Sequence, residues 1–307
     1  LGVAEAMDTA QRGMGLDWEA SAQLIRRSAA ASDGRPLACG AGTDQLAAPA
    51  SLSEVVDAYL EQLELVSSVG ATPILMCSRA LAATASGPED YLSVYAELLR
   101  QVDRPVILHW LGPMFDPALS GYWGSNDLVA AADTLAELIA THAAAVDGVK
   151  ISLLDAAAEI AFRRRLPDSV RCYTGDDFNY PELIAGDDRG FSHALLGIFD
   201  PLAPFASAAV RRLDAADTAG FRSILDPTVA LARKVFAAPT YNYKTGVVFL
   251  AWLAGHQDHF RMVAGREAAR SIRHLTDVFV LADRAGLFGD PDLAAHRMRA
   301  LLEVAGQ

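Results

Sequence analysis

The feature that most constrains the fold is an alternation of short apolar runs with longer stretches of helical period, up to about residue 203. Apolar runs of strand length that alternate with helical patterns are typical of βα units and a parallel sheet. We predict seven strands, at residues 3–7, 36–40, 72–77, 105–110, 148–152, 170–173 and 194–198. The helices predicted between them lie at residues 18–31, 53–69, 89–101, 126–145, 155–165 and 180–185.

This order of elements predicts an α/β fold of the (β/α)8 TIM-barrel type. A closed barrel of this type has eight strands, so we expect that the first strand is absent from this sequence. From residue 204 to residue 307 the pattern is helical only. We therefore predict a barrel over residues 1–203 that lacks its first βα unit. The helices of residues 204–307 are expected to pack on the barrel as part of the same domain.

Composition excludes several classes of function. The 307 residues include 52% hydrophobic residues and carry a formal charge of −12, so binding to nucleic acid or to an anionic membrane would be opposed electrostatically. The apolar run at residues 246–254 is far shorter than the roughly 20 residues that cross a bilayer. The first residues have no basic segment of the kind that begins a signal peptide. Three cysteines without metal-ligand spacing are typical of buried thiols in a reducing compartment, and we expect a cytoplasmic protein without a metal or cofactor.

Lys150 is the first candidate for chemistry. It is one of only three lysines among 26 lysines and arginines, and it lies between Val149 and Ile151 in an apolar run. A strand that directs this amine into a pocket would desolvate it and make it a nucleophile toward a carbonyl carbon. The alternative is a lysine at a strand end that forms a structural ion pair with a carboxylate.

Polar residues at the strand ends form the rest of the candidate site, because the active sites of (β/α)8 barrels lie at the carboxyl ends of the strands. His109 is flanked by Leu108 and Trp110, and an inward histidine near an inward lysine is suited to general acid or base catalysis. The alternative is a hydrogen-bonded core residue, which is the commoner role of a lone histidine on an apolar strand. Helix capping is the alternative for Asp176 and Asp177. The other candidates are Asp8, Thr9, Arg12, Thr43, Asp44, Ser78, Arg79, Ser152, Thr174 and Asp200.

The order of these motifs resembles the class I aldolase barrels of the dihydrodipicolinate synthase and N-acetylneuraminate lyase superfamily along most of the chain. Residues 148–150 resemble the family's G-[IV]-K strand, and residues 174–177 resemble its S-G-D-D segment. Residues 105–109 resemble its P-x-I-L-Y strand, with His109 at the tyrosine position. The resemblance implies that Lys150 forms the Schiff base and that the protein is a homodimer or homotetramer.

The sequence departs from the family at three places. Residues 8–12 stand where the family has G-T-T-G-E, so one threonine, Thr9, remains and the glycines are lost. Residues 76–79 replace its T-P-Y-Y strand end and lack the tyrosine of the proton relay, and residues 113–116 lack its arginine. These departures indicate a divergent branch that keeps the imine chemistry and has changed the ligand.

Three functions are compatible with these residues. The first is a lyase or aldolase that acts on a small keto acid or keto sugar through a Lys150 Schiff base. In it His109 and Thr9 would move protons, and Asp8, Arg12, Ser78, Arg79, Ser152, Thr174, Asp176 and Asp177 would bind substrate. The second is a metal-dependent isomerase or aldolase with His109, Asp8 and either Asp176 or Asp177 as ligands. The third is a barrel that binds a small molecule without turnover.

Overall fold

The computed structural model of the protein describes residues 4–5, 15–46 and 49–306, the first two by their backbone only. Three of the predicted site residues, Asp8, Thr9 and Arg12, lie outside the described residues. The described chain divides into two compact units. The first comprises Leu1–Asp176 and Gly186–Leu195, and the second comprises Asp177–Ala185 and Leu196–Gln307.

Within the described residues, the first unit contains one parallel sheet of seven strands, in which each strand pairs with the next along the chain. This confirms the α/β class and the predicted number of strands, whereas closure of the sheet into a barrel stays a prediction. The strands are β1 (Ala4–Glu5), β2 (Leu37–Ala41), β3 (Thr72–Leu75), β4 (Val106–Leu111), β5 (Val146–Ser152), β6 (Arg171–Thr174) and β7 (His193–Ala194).

Within the described residues of the first unit, six α-helices connect or flank these strands, and five of them match predicted helices. Five of the six begin at a residue whose side chain accepts a backbone N–H of the first turn: for example, Ser51 and Glu54 form a capping box at the start of α2, and Asp155 accepts from a backbone N–H at the start of α6. The helix that was not predicted, α3, begins at Ser78, whose hydroxyl accepts the Leu81 N–H. The six are α1 (Trp18–Ala31), α2 (Leu52–Ser68), α3 (Arg79–Thr84), α4 (Pro88–Gln101), α5 (Leu128–His142) and α6 (Ala156–Arg163).

The sheet has two different faces because side chains alternate along each strand. On one face, called here the helix face, Leu75, Leu108 and Val149 pack into the large core that the helices cover. The opposite face, called here the inner face, carries a smaller buried cluster that includes Ile107 and Tyr173. Residues of even number on β4 and odd number on β5 therefore belong to the helix face.

One predicted strand is wrong over most of its length. Residues 194–198 were expected to be extended, but β7 ends at Ala194 and Gly197–Phe199 form a turn of 3-10 helix. The reason is local to the second unit, where the Asp177 carboxylate accepts the Ile198 N–H at 2.7 Å. The Ile198 N–H thus donates to a side chain and not to the backbone of a neighbouring strand.

The segment Leu128–Ala145, which contains α5, is long and apolar enough to cross a bilayer by length and composition. In the structure this helix is an amphipathic element of the first unit, with Leu135, Leu138 and Ile139 buried. It packs against α4 and α6, as a core helix of an α/β layer does.

The described part of the second unit is helical. Its core includes Phe221, Leu231, Phe249 and Val278, all fully buried. That these helices belong to the same domain as the sheet stays a prediction from the sequence. They are α7 (Tyr180–Ala185), α8 (Ala203–Asp214), α9 (Thr218–Leu225), α10 (Val229–Val235), α11 (Tyr243–Leu253), α12 (Ile272–Arg284) and α13 (Pro291–Val304).

Candidate active site

The pairing of β4 with β5 places Lys150 directly beside His109. The register joins His109 to Lys150 and, two residues further, Leu111 to Ser152. Residues paired across a parallel ladder point to the same face, as do residues two apart on one strand. Lys150, His109 and Ser152 therefore share the inner face, and only 7%, 3% and 3% of their surfaces are exposed.

His109 is held by both ring nitrogens. Its Nε2 lies 2.9 Å from Ser152 Oγ, and its Nδ1 lies 3.3 Å from Met76 Sδ. A thioether sulfur only accepts hydrogen bonds, so this arrangement requires the proton on Nδ1. Nε2 then carries the lone pair and accepts the hydrogen bond that the Ser152 hydroxyl donates.

The electrostatics of the site keep this imidazole neutral. Burial, followed by the positive charge of Lys150, holds the pKa of His109 well below its usual value of 6.5. At neutral pH the ring is therefore unprotonated and able to accept a proton. The site pairs a buried amine with a neutral base.

Two glycines allow the strands to approach each other at the lysine. At Gly148 an added Cβ would lie 2.5 Å from the Tyr173 ring and 2.7 Å from the Arg171 carbonyl oxygen. The Tyr173 ring therefore covers Gly148, beside the strand position of Lys150. This explains physically why glycine precedes the lysine in the sequence motif.

Gly175 follows the last residue of β6 and donates its N–H to the Ile151 carbonyl at 2.7 Å. A Cβ at this position would lie 2.0 Å from Ser152 Oγ, 3.0 Å from the Ile151 oxygen and 3.2 Å from Lys150 Cε. The absence of a side chain is thus what lets the Ser152 hydroxyl and the Lys150 stem occupy their places.

Gly175→Ala is therefore expected to displace Ser152 from His109 and to lower the free energy of unfolding by about 1–3 kcal/mol, the usual cost of overpacking. Chemical denaturation measures the stability, and the NMR shift of the His109 ring reports the lost hydrogen bond. Gly289→Ala is the matched control, because an added Cβ there meets nothing within 4 Å. Equal stability of the two variants would contradict the close packing.

Ser78 and Arg79 lie at the start of α3. The Ser78 hydroxyl caps the helix and lies 2.6 Å from Thr43 Oγ1, while the Ser78 N–H donates to the Tyr122 hydroxyl at 2.9 Å. The Arg79 side chain is 56% exposed and forms an ion pair with Asp116 at 2.5 Å. These contacts give both residues structural roles, and their role in substrate binding stays a prediction.

Thr174 is placed on the helix face, opposite Lys150. Its hydroxyl donates to Glu159 Oε2 at 3.0 Å and accepts the Asp176 N–H at 3.1 Å. Asp176 is buried in the first unit, and Asp177, buried in the second, accepts the Ile198 N–H. The structure thus brings Ser152 to His109 and Lys150, and it does not bring Thr174 there.

Sequence reasoning missed two residues of this region, Met76 and Glu159. Met76 holds the imidazole, and its contact depends on a pairing between β3 and β4 that no local pattern reveals. Glu159 is fully buried on α6 with Phe162 and Arg163 on the same buried face. Residues three apart lie on the same face of a helix. The spacing of Glu159 and Phe162 could therefore have indicated a buried carboxyl.

Among the described residues, no group of three or more His, Cys, Asp or Glu side chains is arranged to hold a metal ion. His109 instead uses both nitrogens within the protein, on Met76 and Ser152. The ligand set of the metal-dependent hypothesis also included Asp8, which lies outside the described residues.

Solved structures of dihydrodipicolinate synthases share this fold. They confirm, for the fold, the resemblance that the sequence motifs indicated. The enzyme of Thermotoga maritima matches with a TM-score of 0.71 and 14% identity, over 91% of this chain and 85% of that one. The enzyme of Aquifex aeolicus matches with a TM-score of 0.70 and 15% identity, over 94% and 88%. The chloride-inhibited enzyme of Acinetobacter baumannii, solved in complex with pyruvate, matches with a TM-score of 0.64 and 16% identity, over 94% and 88%.

At these identities the likeness defines the class of fold and no more. The family itself is defined by sequence: a family model described as a protein of unknown function, DUF993, matches residues 1–307. The chain belongs to this family. No curated protein matches the sequence.

Proposed function

We propose that the protein is a lyase or aldolase that forms a Schiff base between Lys150 and the carbonyl carbon of a small keto acid or keto sugar. The observation that carries the proposal is the buried pairing of Lys150 with His109, whose Nε2 accepts from Ser152. The motif resemblance, in which Lys150 stands at the Schiff-base position, and the shared fold support it.

The reaction begins with attack of the Lys150 amine on the carbonyl carbon. The addition product loses water and gives an imine, which in its protonated form withdraws electrons from the adjacent carbon. When a C–C or C–H bond at that carbon breaks, its electron pair enters the imine and forms an enamine. Hydrolysis of the imine after the carbon is reprotonated releases the product and restores the amine.

His109 is proposed as the group that moves the proton. Its Nε2 holds the lone pair that accepts a proton, and the Ser152 hydroxyl shares that lone pair in the resting site. Ser152 thus works with His109, in addition to the substrate-binding role predicted for it. Thr9 as a further proton carrier, the remaining predicted binding residues, the homodimer or homotetramer and the cytoplasmic location stay predictions.

Borohydride trapping tests the proposal. The protein is incubated with a panel of keto acids and keto sugars, starting with pyruvate, and reduced. Peptide masses then locate any adduct. Adduct on the peptide that contains Lys150 supports the proposal, and binding of a panel compound without any adduct would favour a non-catalytic binding protein instead.

The proton-transfer role gives a separate expectation for Ser152→Ala and His109→Phe. Both variants are expected to form the trapped imine. The exchange of hydrogen for deuterium at the carbon next to the carbonyl should slow by about 10²–10⁴-fold in His109→Phe, the usual contribution of a general base. It should slow less in Ser152→Ala, which keeps the imidazole. NMR in deuterated water follows this exchange without requiring the natural reaction.

The pKa of His109 lies well below 6.5, so the ring becomes protonated only well below pH 6.5. The rate of hydrogen–deuterium exchange in the parent protein is therefore expected to fall only in that acid range. Ser93→Ala, at an exposed position of α4, is the control and should behave as the parent protein does. An unchanged exchange rate in His109→Phe would remove this residue from the mechanism.

A further inference from the structure

A second cluster of buried polar groups lies on the helix face of the sheet. It includes Thr174, which directly precedes Gly175 in the sequence. Its centre is Glu159, which is fully buried on α6. The Thr174 hydroxyl donates to Glu159 Oε2 and accepts the Asp176 N–H. Glu159 is therefore connected, through one hydroxyl, to both ends of the turn that residues 174–176 form.

This turn also reaches the other face of the sheet. Gly175, between Thr174 and Asp176, donates its N–H to the Ile151 carbonyl and lies against Lys150 Cε. The position of the backbone at Gly175 sets the space around the lysine stem. A displacement of the Thr174 side chain on the helix face therefore moves the wall of the candidate site.

Arg163 lies on the same buried face of α6 as Glu159, and its positive charge acts on the Glu159 carboxyl. It donates to Asp187 Oδ2 at 3.1 Å and to Ser192 Oγ at 3.3 Å, and Asp187 also accepts from Arg164 at 2.9 Å. The other titratable groups that face Glu159 are Asp176 and Cys172, and burial raises the pKa of the Cys172 thiol.

Burial raises the pKa of Glu159 to about 8, and the charge of Asp176 acts in the same direction. The hydroxyl groups of Ser192 and Thr174 and the charge of Arg163 act against it with smaller effect. The carboxyl is therefore protonated at neutral pH and ionises in mildly alkaline solution. Ionisation strengthens the hydrogen bond that the Thr174 hydroxyl donates, because a carboxylate is a stronger acceptor than a neutral carboxyl, and this effect exceeds the repulsion by Asp176.

We infer that Glu159 is a positioning residue for the lysine: its carboxyl, through Thr174, holds the turn of residues 174–176 closed against Lys150, and ionisation tightens this hold. The inference rests on the proposed function only in taking Lys150 as the reacting group. The substrate does not enter it. It assigns a regulatory effect of pH to a carboxyl on the opposite face of the sheet.

The test measures the reactivity of Lys150 itself. The chain has only three lysines, Lys150, Lys234 and Lys244, so reductive methylation with formaldehyde and cyanoborohydride, followed by peptide masses, gives a rate for each. Lys234, with 28% of its side chain exposed, is the internal reference. The ratio of the Lys150 rate to the Lys234 rate is measured from pH 6 to pH 9.5.

In the parent protein this ratio is expected to fall about two- to tenfold across pH 8, the size of effect usual for coupling through a neighbouring residue. In Glu159→Gln, whose amide cannot ionise but still accepts the Thr174 hydroxyl, the ratio should lack this step. Thr174→Val should raise the ratio at all pH values, and Thr174→Ser, which keeps the hydroxyl, should restore the parent curve. Glu64→Gln, at an exposed position of α2, controls for charge.

Superimposable curves for the parent protein and Glu159→Gln would overturn the inference, as would a Thr174→Val curve equal to that of the parent. Circular dichroism establishes that each variant is folded. The proposed function has a separate test. It is contradicted if borohydride traps no carbonyl compound on Lys150, whatever the methylation ratios are.

Discussion

Lys150→Met is expected to lose borohydride trapping and turnover completely, because the proposed imine takes its nitrogen from the Lys150 amine. Methionine has nearly the same length as lysine and adapts to irregular packing. The variant should therefore fold with a free energy of unfolding equal to or greater than that of the parent, since a buried amine is exchanged for an apolar group. Adduct mass and chemical denaturation measure the two expectations.

Two matched lysines serve as controls for Lys150→Met. Lys234→Met removes a partly exposed amine that pairs with Asp277, and it should leave trapping unchanged. Lys244 is also buried and forms an ion pair with Asp200 at 3.7 Å, and the parent protein should carry no adduct there. Trapping that persists in Lys150→Met would end the proposal.

Glu159→Gln is expected to change the pH dependence of stability strongly. The folded pKa of Glu159 is raised to about 8 from an ordinary value of 4.5. Between these values the unfolded chain releases the proton and the folded protein keeps it. The stability contributed by this group is therefore complete below pH 4.5, falls as the pH rises toward 8, and then levels off.

The expected slope is about a tenfold loss in the folding equilibrium constant for each pH unit, or about 1.4 kcal/mol. Glu159→Gln removes this contribution, so the difference in unfolding free energy between variant and parent should grow from pH 5 to pH 8. It should reach about 4 kcal/mol in favour of the variant. Urea denaturation at several pH values measures it, with Glu64→Gln as the control, and parallel stability curves for parent and variant would show that Glu159 ionises normally.

Much of the architecture follows from local pattern, because strands and helices are set mainly by nearby residues. Apolar runs bounded by turn residues located β4 and β5 within a residue or two, and α1 was predicted with its observed ends. The errors arose where a side chain competes with the backbone. Asp177 takes the Ile198 N–H, and Ser78 begins a helix that the pattern does not show.

The site was predictable only in part, because register is a tertiary property. Residues two apart on one strand must share a face, so Lys150 and Ser152 are linked by the sequence alone. The contact of Lys150 and Ser152 with His109 depends on the register between β4 and β5, and no local sequence pattern indicates that register. For the same reason Thr174 was placed with the substrate, although its position in the β6 register directs it toward α6.

The amine and the imidazole are carried by one ladder, in which β4 and β5 are paired without interruption from Ile107 with Gly148 to Leu111 with Ser152. Moving one group relative to the other along the strands would break several of these pairings at once. Changes in the surrounding loops could therefore alter which molecules reach this face of the sheet, while the spacing of Lys150 and His109 stays fixed by the strand pairing.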